Sequence, residues 1–233
     1  MKDHLKLCSV SCDLEGKQIL KNIEWSLDRG ENGCLFGESG SGKSTLLRII
    51  SGLIQISEGT ISIGEKEIST KTKMIPPEER KIGMIFQDFA LFPNLTVLQN
   101  IEFGIRKINK RIRKQRGDYL IQMLGLSGLE NSMPHKISGG QQQRVAIARS
   151  LAVEPDILLL DEPFSNIDDR LKKHILLDLK HLLREKRITA ILVTHDQTEA
   201  FSFADKLAVI HQGRIIEKGS PYSLYSRPKR QLT

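Results

Sequence analysis

Asn32-Gly33-Cys34-Leu35-Phe36-Gly37-Glu38-Ser39-Gly40-Ser41-Gly42-Lys43-Ser44-Thr45-Leu46-Leu47 carries the pattern on which the fold turns. Asn32–Phe36 is a short apolar run that reads as a buried strand. Gly37–Ser44 fits G-x-x-x-x-G-K-[ST], and Lys43–Gly52 reads as a helix ending on glycine. Strand, glycine-rich loop and helix in that order form the context in which this motif cradles phosphate.

The residue types have a physical purpose. Gly37, Ser39, Gly40, Ser41 and Gly42 are small enough for the backbone to curl with its N–H groups pointing inward. The helix that follows adds the positive end of its dipole. Lys43 is expected to reach the β- and γ-phosphates, and the Ser44 hydroxyl to ligate Mg²⁺. Thr45 is expected to support the loop from further in. A glycine-rich turn without a ligand is the bland alternative, but a chance match in a chain of this length is on the order of one per cent.

Two further apolar runs point to the same site. Ile157-Leu158-Leu159-Leu160 reads as a strand and ends in Asp161-Glu162-Pro163. An acid at such a strand tip can hold the Mg²⁺ shell, which assigns Asp161. Glu162 can then polarise an attacking water as general base. Alone, these residues could equally begin a helix with an acidic cap; beside a phosphate loop the catalytic reading is favoured. His195 closes the run Ala190–Thr194. Most lone histidines at strand ends are structural, yet a parallel sheet aims its strand ends at one crevice, so His195 is a candidate for contacting a γ-phosphate. His174 and His181 fall on an amphipathic helical pattern and read as surface residues.

Alternating strand and helix patterns predict an α/β phosphate-loop NTPase core with a mainly parallel sheet. Leu5–Ser11 and Ile19–Leu27 alternate around Glu15-Gly16-Lys17, as an antiparallel N-terminal β subdomain would. Residues 89–153, between the strand candidates Ile82–Phe86 and Ile157–Leu160, read as a helical subdomain inserted in the core. The whole of 1–233 is taken as one domain.

Composition sets outer bounds. The chain has 233 residues, 39% hydrophobic and 27% charged, which argues against a mainly disordered polypeptide. No apolar run approaches the roughly 18 residues that span a bilayer. Cys8, Cys12 and Cys34 are an odd, sparse set that reads as reduced thiols, and no second Cys/His pair completes a metal site with Cys8 and Cys12. The net charge is +7, from 35 bases and 28 acids. Arg106, Lys107, Lys110, Arg111, Arg113, Lys114 and Arg116 account for the whole excess, with no acid among them. A solvated face is the default reading of such a run. Anionic lipid is the next, and nucleic acid comes last because no aromatic residue interleaves with the bases.

Ser138-Gly139-Gly140-Gln141, preceded by Ile137 and followed by Gln142-Gln143-Arg144-Val145-Ala146-Ile147-Ala148-Arg149, resembles the signature motif of ABC ATPases. By chemistry alone it is either a second anion-binding helix N-terminus or a simple cap. The resemblance implies that it faces the γ-phosphate held by another monomer, so that two ATP molecules are sandwiched in a head-to-tail homodimer. Gln87, after Ile85-Phe86, resembles the glutamine that senses Mg²⁺ and γ-phosphate and links core to helical insertion; without its neighbours it would read as a surface amide. Ser165-Asn166-Ile167-Asp168 resembles the D-loop, with Asp168 the matching acid, and His195 matches the switch histidine. One position departs from the family. Leu14 stands where an aromatic residue usually stacks on adenine, which implies a loss of roughly 1–3 kcal/mol and weaker base selectivity. Ile137 for the usual leucine preserves packing.

The stretch Ile75-Pro76-Pro77-Glu78-Glu79-Arg80-Lys81, continuing through Gln87-Asp88-Phe89-Ala90-Leu91-Phe92-Pro93-Asn94-Leu95-Thr96-Val97, resembles importers for sugars, polyamines and inorganic ions such as ferric iron, sulfate and molybdate. Phe164-Ser165-Asn166 leans towards ferric iron, with thiamine importers a further alternative. The resemblance implies ATP and Mg²⁺ as cofactors, separate membrane permease subunits and a substrate-binding protein in the complete importer. It also implies a peripheral position on the cytoplasmic face of the inner membrane. Nucleic acid is not expected as a partner, because relatives acting on DNA or the ribosome need a long coiled coil or a second ATPase domain. Many importer relatives carry a C-terminal regulatory domain of about a hundred residues or more. This chain stops soon after Gly219-Ser220-Pro221, so a fragment or a short variant is expected.

Overall fold

The alternation along the first 27 residues folds as a hairpin of β1 (Leu5–Leu14) and β2 (Lys17–Leu27), pairing Leu5 with Leu27 and Leu14 with Lys17. The computed structural model describes residues 3–164 and 169–226. At the hairpin turn Glu15 and Gly16 have φ of 50° and 76°, the left-handed pair that matches the twist of antiparallel strands. The chain continues through β3 (Asn32–Phe36), α1 (Lys43–Ser51), β4 (Glu58–Ile63), β5 (Lys66–Thr70) and β6 (Ile82–Ile85). Three helices follow before the next strand: α2 (Val97–Glu102), α3 (Lys110–Met123) and α4 (Gly139–Ala152). The remaining elements are β7 (Ile157–Asp161), α5 (Asp169–Lys186), β8 (Thr189–Thr194), α6 (Gln197–Phe203), β9 (Lys206–His211), β10 (Arg214–Gly219) and α7 (Pro221–Ser226).

Two sheets result. One is antiparallel with order β2-β1-β4-β5; the other has order β10-β9-β3-β8-β7-β6 and is parallel except for β10. The expected mainly parallel sheet and antiparallel N-terminal piece are both present. The antiparallel sheet also recruits β4 and β5, and β9 and β10 extend the parallel one; the sequence reading had named none of these four strands.

Burial on both faces explains why β7 and β8 are apolar throughout. Leu158, Leu160, Ala190 and Leu192 pack on one side with α4 and α5 residues such as Ile147 and Leu179. Ile157, Leu159, Ile191 and Val193 pack on the other with α1 and the antiparallel sheet. Alternation with period two thus joins two cores through one sheet. Because β3, β7 and β8 run parallel and adjacent, their C-terminal ends open at one edge.

Candidate nucleotide site

The glycine-rich loop fits where nothing larger would. A Cβ at Gly37 would lie 2.2 Å from the Ile210 carbonyl oxygen, and one at Gly42 would lie 2.7 Å from Leu20 Cδ2, where φ is also 105°. The β9–β10 turn buttresses the loop from outside: the Gly213 N–H donates to the Ser41 carbonyl at 3.0 Å, and the Lys21 N–H donates to the Gly213 carbonyl at 2.8 Å. Gly42 is the N-cap of α1 and supplies no capping side chain. The first-turn amides are therefore left for an anion. At the far end of α1, buried Arg80 donates to the carbonyls of Ile49, Ile50, Ile68 and Ile75 and to Ser69 Oγ. A cation there suits the negative end of the helix dipole, and burial pushes the Arg80 pKa down to about 10.

Lys43 is 3% exposed, and its Nζ donates to the carbonyls of Gly37 (2.8 Å) and Glu38 (2.7 Å). The lysine spans its own loop, facing the space the loop encloses. Burial lowers its pKa, while Glu162 and then Asp161 pull it back up. Ser44 Oγ donates to Asp161 Oδ1 at 2.8 Å. Burial is the largest influence raising the Asp161 pKa; the Ser44 hydrogen bond opposes it and nearby Glu162 adds to it. A hydroxyl and a carboxylate converging beside the loop are hard oxygen donors of the kind Mg²⁺ takes from protein when phosphates and water fill its other positions, so these two residues fit that ion.

Glu162 follows directly, with φ of 43°, a left-handed conformation that costs a non-glycine residue on the order of 1 kcal/mol. Its N–H donates to the Val193 carbonyl at 3.1 Å, fixing the turn to the neighbouring strand. The carboxylate then lies between two groups: Oε1 is 3.9 Å from Lys43 Nζ, and Oε2 is 3.3 Å from His195 Nδ1. Asp161 is level with Val193, and Phe36 with Thr194. Strand register thus brings Lys43, Ser44, Asp161, Glu162 and His195 together. Thr45 is half-buried in the first turn of α1.

Other predicted residues stand apart from this cluster. Ser138 is exposed and caps α4, its Oγ accepting from the Gln141 N–H (3.3 Å) while Gln141 Oε1 accepts from the Ser138 N–H (2.9 Å). Among the described residues, no hydrogen bond joins Ser138, Gly139, Gly140 or Gln141 to the phosphate loop. Gln87 is exposed on a turn where Phe89 and Ala90 have φ of 58° and 44°. Arg149 of α4 holds that turn by donating to the Phe89 and Ala90 carbonyls at 2.9 and 2.6 Å. The motif helix and the glutamine turn are therefore mechanically linked. The Ser165-Asn166-Ile167-Asp168 segment, Asp168 included, lies outside the described residues. Leu14, half-buried at the end of β1, packs against the core that includes Leu20.

A supporting network escaped the sequence reading. Thr194 Oγ1 donates to Glu199 Oε2 at 2.6 Å and accepts from the Asp196 N–H at 3.0 Å. Lys172 of α5 pairs with both Asp196 and Glu199 at 3.2 Å. These contacts fix the turn carrying His195. The available signal was Asp196-Gln197-Thr198-Glu199, an acid at an N-cap with Glu three residues on.

Comparison with known proteins gives a consistent result. Residues 20–165 match the sequence profile of the family described as ABC transporter. The chain is 45% identical over 212 residues to the sulfate/thiosulfate import ATP-binding protein CysA of Mycobacterium tuberculosis, covering 90% of this chain and 59% of CysA. It is 44% identical over 226 residues to the Fe(3+) ions import ATP-binding protein FbpC of Pseudomonas fluorescens, covering 97% of this chain and 64% of FbpC. The chain thus spans about six tenths of the length of these curated relatives. Its fold superposes with a TM-score of 0.82 on the dimeric, post-hydrolysis ATP-binding cassette MJ0796 bound to ADP and Pi, at 34% identity, covering 93% of this chain and 98% of that one.

Proposed function

The chain belongs to the ABC transporter family as an ATP-binding domain, and from that premise we propose that it hydrolyses ATP to drive an importer through separate membrane subunits. The observation that carries this reading is the convergence of Lys43, Ser44, Asp161, Glu162 and His195 on one edge of the sheet.

The reaction is ATP + H₂O → ADP + phosphate. Nucleotide phosphates enter the loop and accept hydrogen bonds from its amides and the first turn of α1. Lys43 exchanges the Gly37 and Glu38 carbonyls for phosphate oxygens, trading neutral acceptors for charged ones. Mg²⁺, when bound, neutralises charge on the β- and γ-phosphates; Ser44 and Asp161 would hold it, with Gln87 a third donor brought in by movement of its turn. Glu162 orients water and takes its proton at a carboxylate oxygen, a contribution of about 10²–10⁴-fold. His195, on the other side of that carboxylate, contacts the γ-phosphate.

Two copies complete the site. Ser138, Gly139, Gly140 and Gln141 of one copy, with Asp168, close over nucleotide held by the other; the dimeric state of the similar MJ0796 cassette supports this reading. Nucleotide binding closes the dimer, hydrolysis reopens it, and the movement passes to the membrane subunits through the Gln87 turn and α4. The absence of any described helix long and apolar enough to cross a membrane fits a peripheral subunit. The cargo is a small solute or ion. The Phe164-Ser165-Asn166 pattern and the resemblance to FbpC favour ferric iron, and the similarity to CysA keeps sulfate as the second reading.

Phosphate release by wild type and Lys43→Ala tests the proposal. Wild type should turn over ATP only with Mg²⁺, and Lys43→Ala should lose both nucleotide binding and turnover. A wild type that binds ATP without hydrolysing it, or a fully active Lys43→Ala, would contradict it.

A further inference from the structure

Apart from Arg106, which lies over the Phe103 ring, the basic run of residues 106–116 divides into two sets. Arg113 pairs with Glu102 at 3.0 Å, and Arg116 pairs with Glu154 at 2.9 Å and donates to the Ala152 carbonyl. Those two face the body of the protein. Lys107, Lys110, Arg111 and Lys114 are exposed and, among the described residues, form no ion pair. At 3.6 residues per turn, Lys110, Lys114 and Arg111 fall within an arc of about 100° in the first turns of α3, ahead of the stretch in which the helix buries Gly117, Leu120 and Ile121. Exposed Asp118 is the first acid beyond the run.

Helix physics opposes this placement. α3 begins at Lys110 with Asn109 as its cap and has no acid in its first turn. Cations at a helix N-terminus are repelled by the dipole, and stability alone would favour acids there. A local rule broken without a compensating contact inside the molecule is what a binding surface leaves behind.

We propose that the exposed start of α3, with Lys107 just before it, is a contact surface for anionic lipid head groups. Flexible, exposed bases without partners among the described residues suit a charged, laterally smooth interface, which demands no shape complementarity. Single-stranded nucleic acid would need an aromatic platform. The neighbouring aromatic, Phe103, is already engaged: its ring stacks on Phe92 at 4.1 Å, and the Arg106 guanidinium lies 3.7 Å from its centroid. The inference rests on the importer reading only for the presence of a membrane nearby.

Co-sedimentation of the full chain with phosphatidylcholine vesicles, with and without phosphatidylserine, tests the contact. Binding should require phosphatidylserine and weaken between about 0.1 M and about 1 M salt, as the screening length falls from about 10 to about 3 Å. Replacing Lys107, Lys110, Arg111 and Lys114 with Gln should cut partitioning by about fivefold per base. The same variant should melt at the same or a higher temperature, because it removes the clash with the helix dipole. Equal binding to both vesicle types, or a variant that partitions like wild type, would overturn the proposal. So would tighter binding to single-stranded RNA than to vesicles at one salt concentration. ATP hydrolysis in the same samples separates the two readings: turnover without vesicle binding sinks only the lipid contact, and vesicle binding without turnover sinks only the ATPase.

Discussion

At the N-terminus of α1 no side chain caps the helix, whereas at the N-terminus of α4 Ser138 and Gln141 close a reciprocal capping box. Both are glycine-containing helix starts suited to an anion. The first is enclosed by its own chain: Lys43 lies across the loop, Ser44 donates to Asp161, and Glu162 lies between Lys43 and His195. The second is exposed, and its box uses only the Ser138 and Gln141 amides, leaving those of Gly139 and Gly140 for another acceptor. A cap that satisfies itself is stable without ligand. The difference teaches that one half of the proposed site is preassembled within the chain, and that the other half is presented outward.

Three substitutions sharpen this contrast. The largest effect is expected from Glu162→Gln on the enclosed side. It keeps the shape of the cluster but cannot accept a proton, so kcat should fall about 10²–10⁴-fold while ATP binding survives. Stopped-flow phosphate release checks it, and unchanged turnover would move the general base elsewhere. Next is Leu14→Tyr at the end of β1, which should tighten ATP binding about tenfold if the missing stacking partner is what limits affinity. Competition titration with GTP is the readout, and equal affinities for both nucleotides before and after would discard that assignment.

The smallest effect concerns Asp161. Burial raises its pKa in the folded chain, so ionisation opposes folding. As pH rises past the unfolded value of about 3.9, the unfolded chain loses its proton first, and the folded state loses stability until its own higher pKa is passed. Asp161→Asn removes that cost. The nucleotide-free variant should therefore melt higher at neutral pH, by about 2–4 °C if the gain is near 1 kcal/mol. The melting increment caused by Mg-ATP should shrink. A lower melting temperature by calorimetry would show that the Ser44 hydrogen bond outweighs the burial.

Much of the enclosed half is legible in the amino-acid sequence. Gly37–Ser44 has a fixed spacing, and Asp161, Glu162 and His195 each end an apolar run, so local pattern and strand direction suffice to bring them together. What was not legible depends on contacts distant in sequence. Lys172 meets Asp196 and Glu199 across 24 and 27 positions only because α5 and α6 pack together, and nothing in a lysine's neighbours announces that. Arg80 stood inside a quoted motif, yet its service to five oxygens around the end of α1 arises from tertiary packing. β4, β5 and β10 are partly exposed and carry weak patterns, whereas β9 holds the buried apolar run Leu207–Ile210 and is a strand the sequence reading passes over. The outward half is legible only through the family resemblance, and in the proposed reading its partner is another molecule.

The most direct test of a site shared between two copies is to mix two inactive variants, Glu162→Gln and Ser138→Arg. Each alone has both sites damaged. In a head-to-tail mixed dimer, one site pairs the intact Glu162 of one copy with the intact Ser138 of the other. Mixing should then restore ATP hydrolysis to about a quarter of wild type, since half the dimers are mixed and each has one good site. No recovery on mixing, or a Ser138→Arg variant as active as wild type on its own, would show that the enclosed half works without its partner.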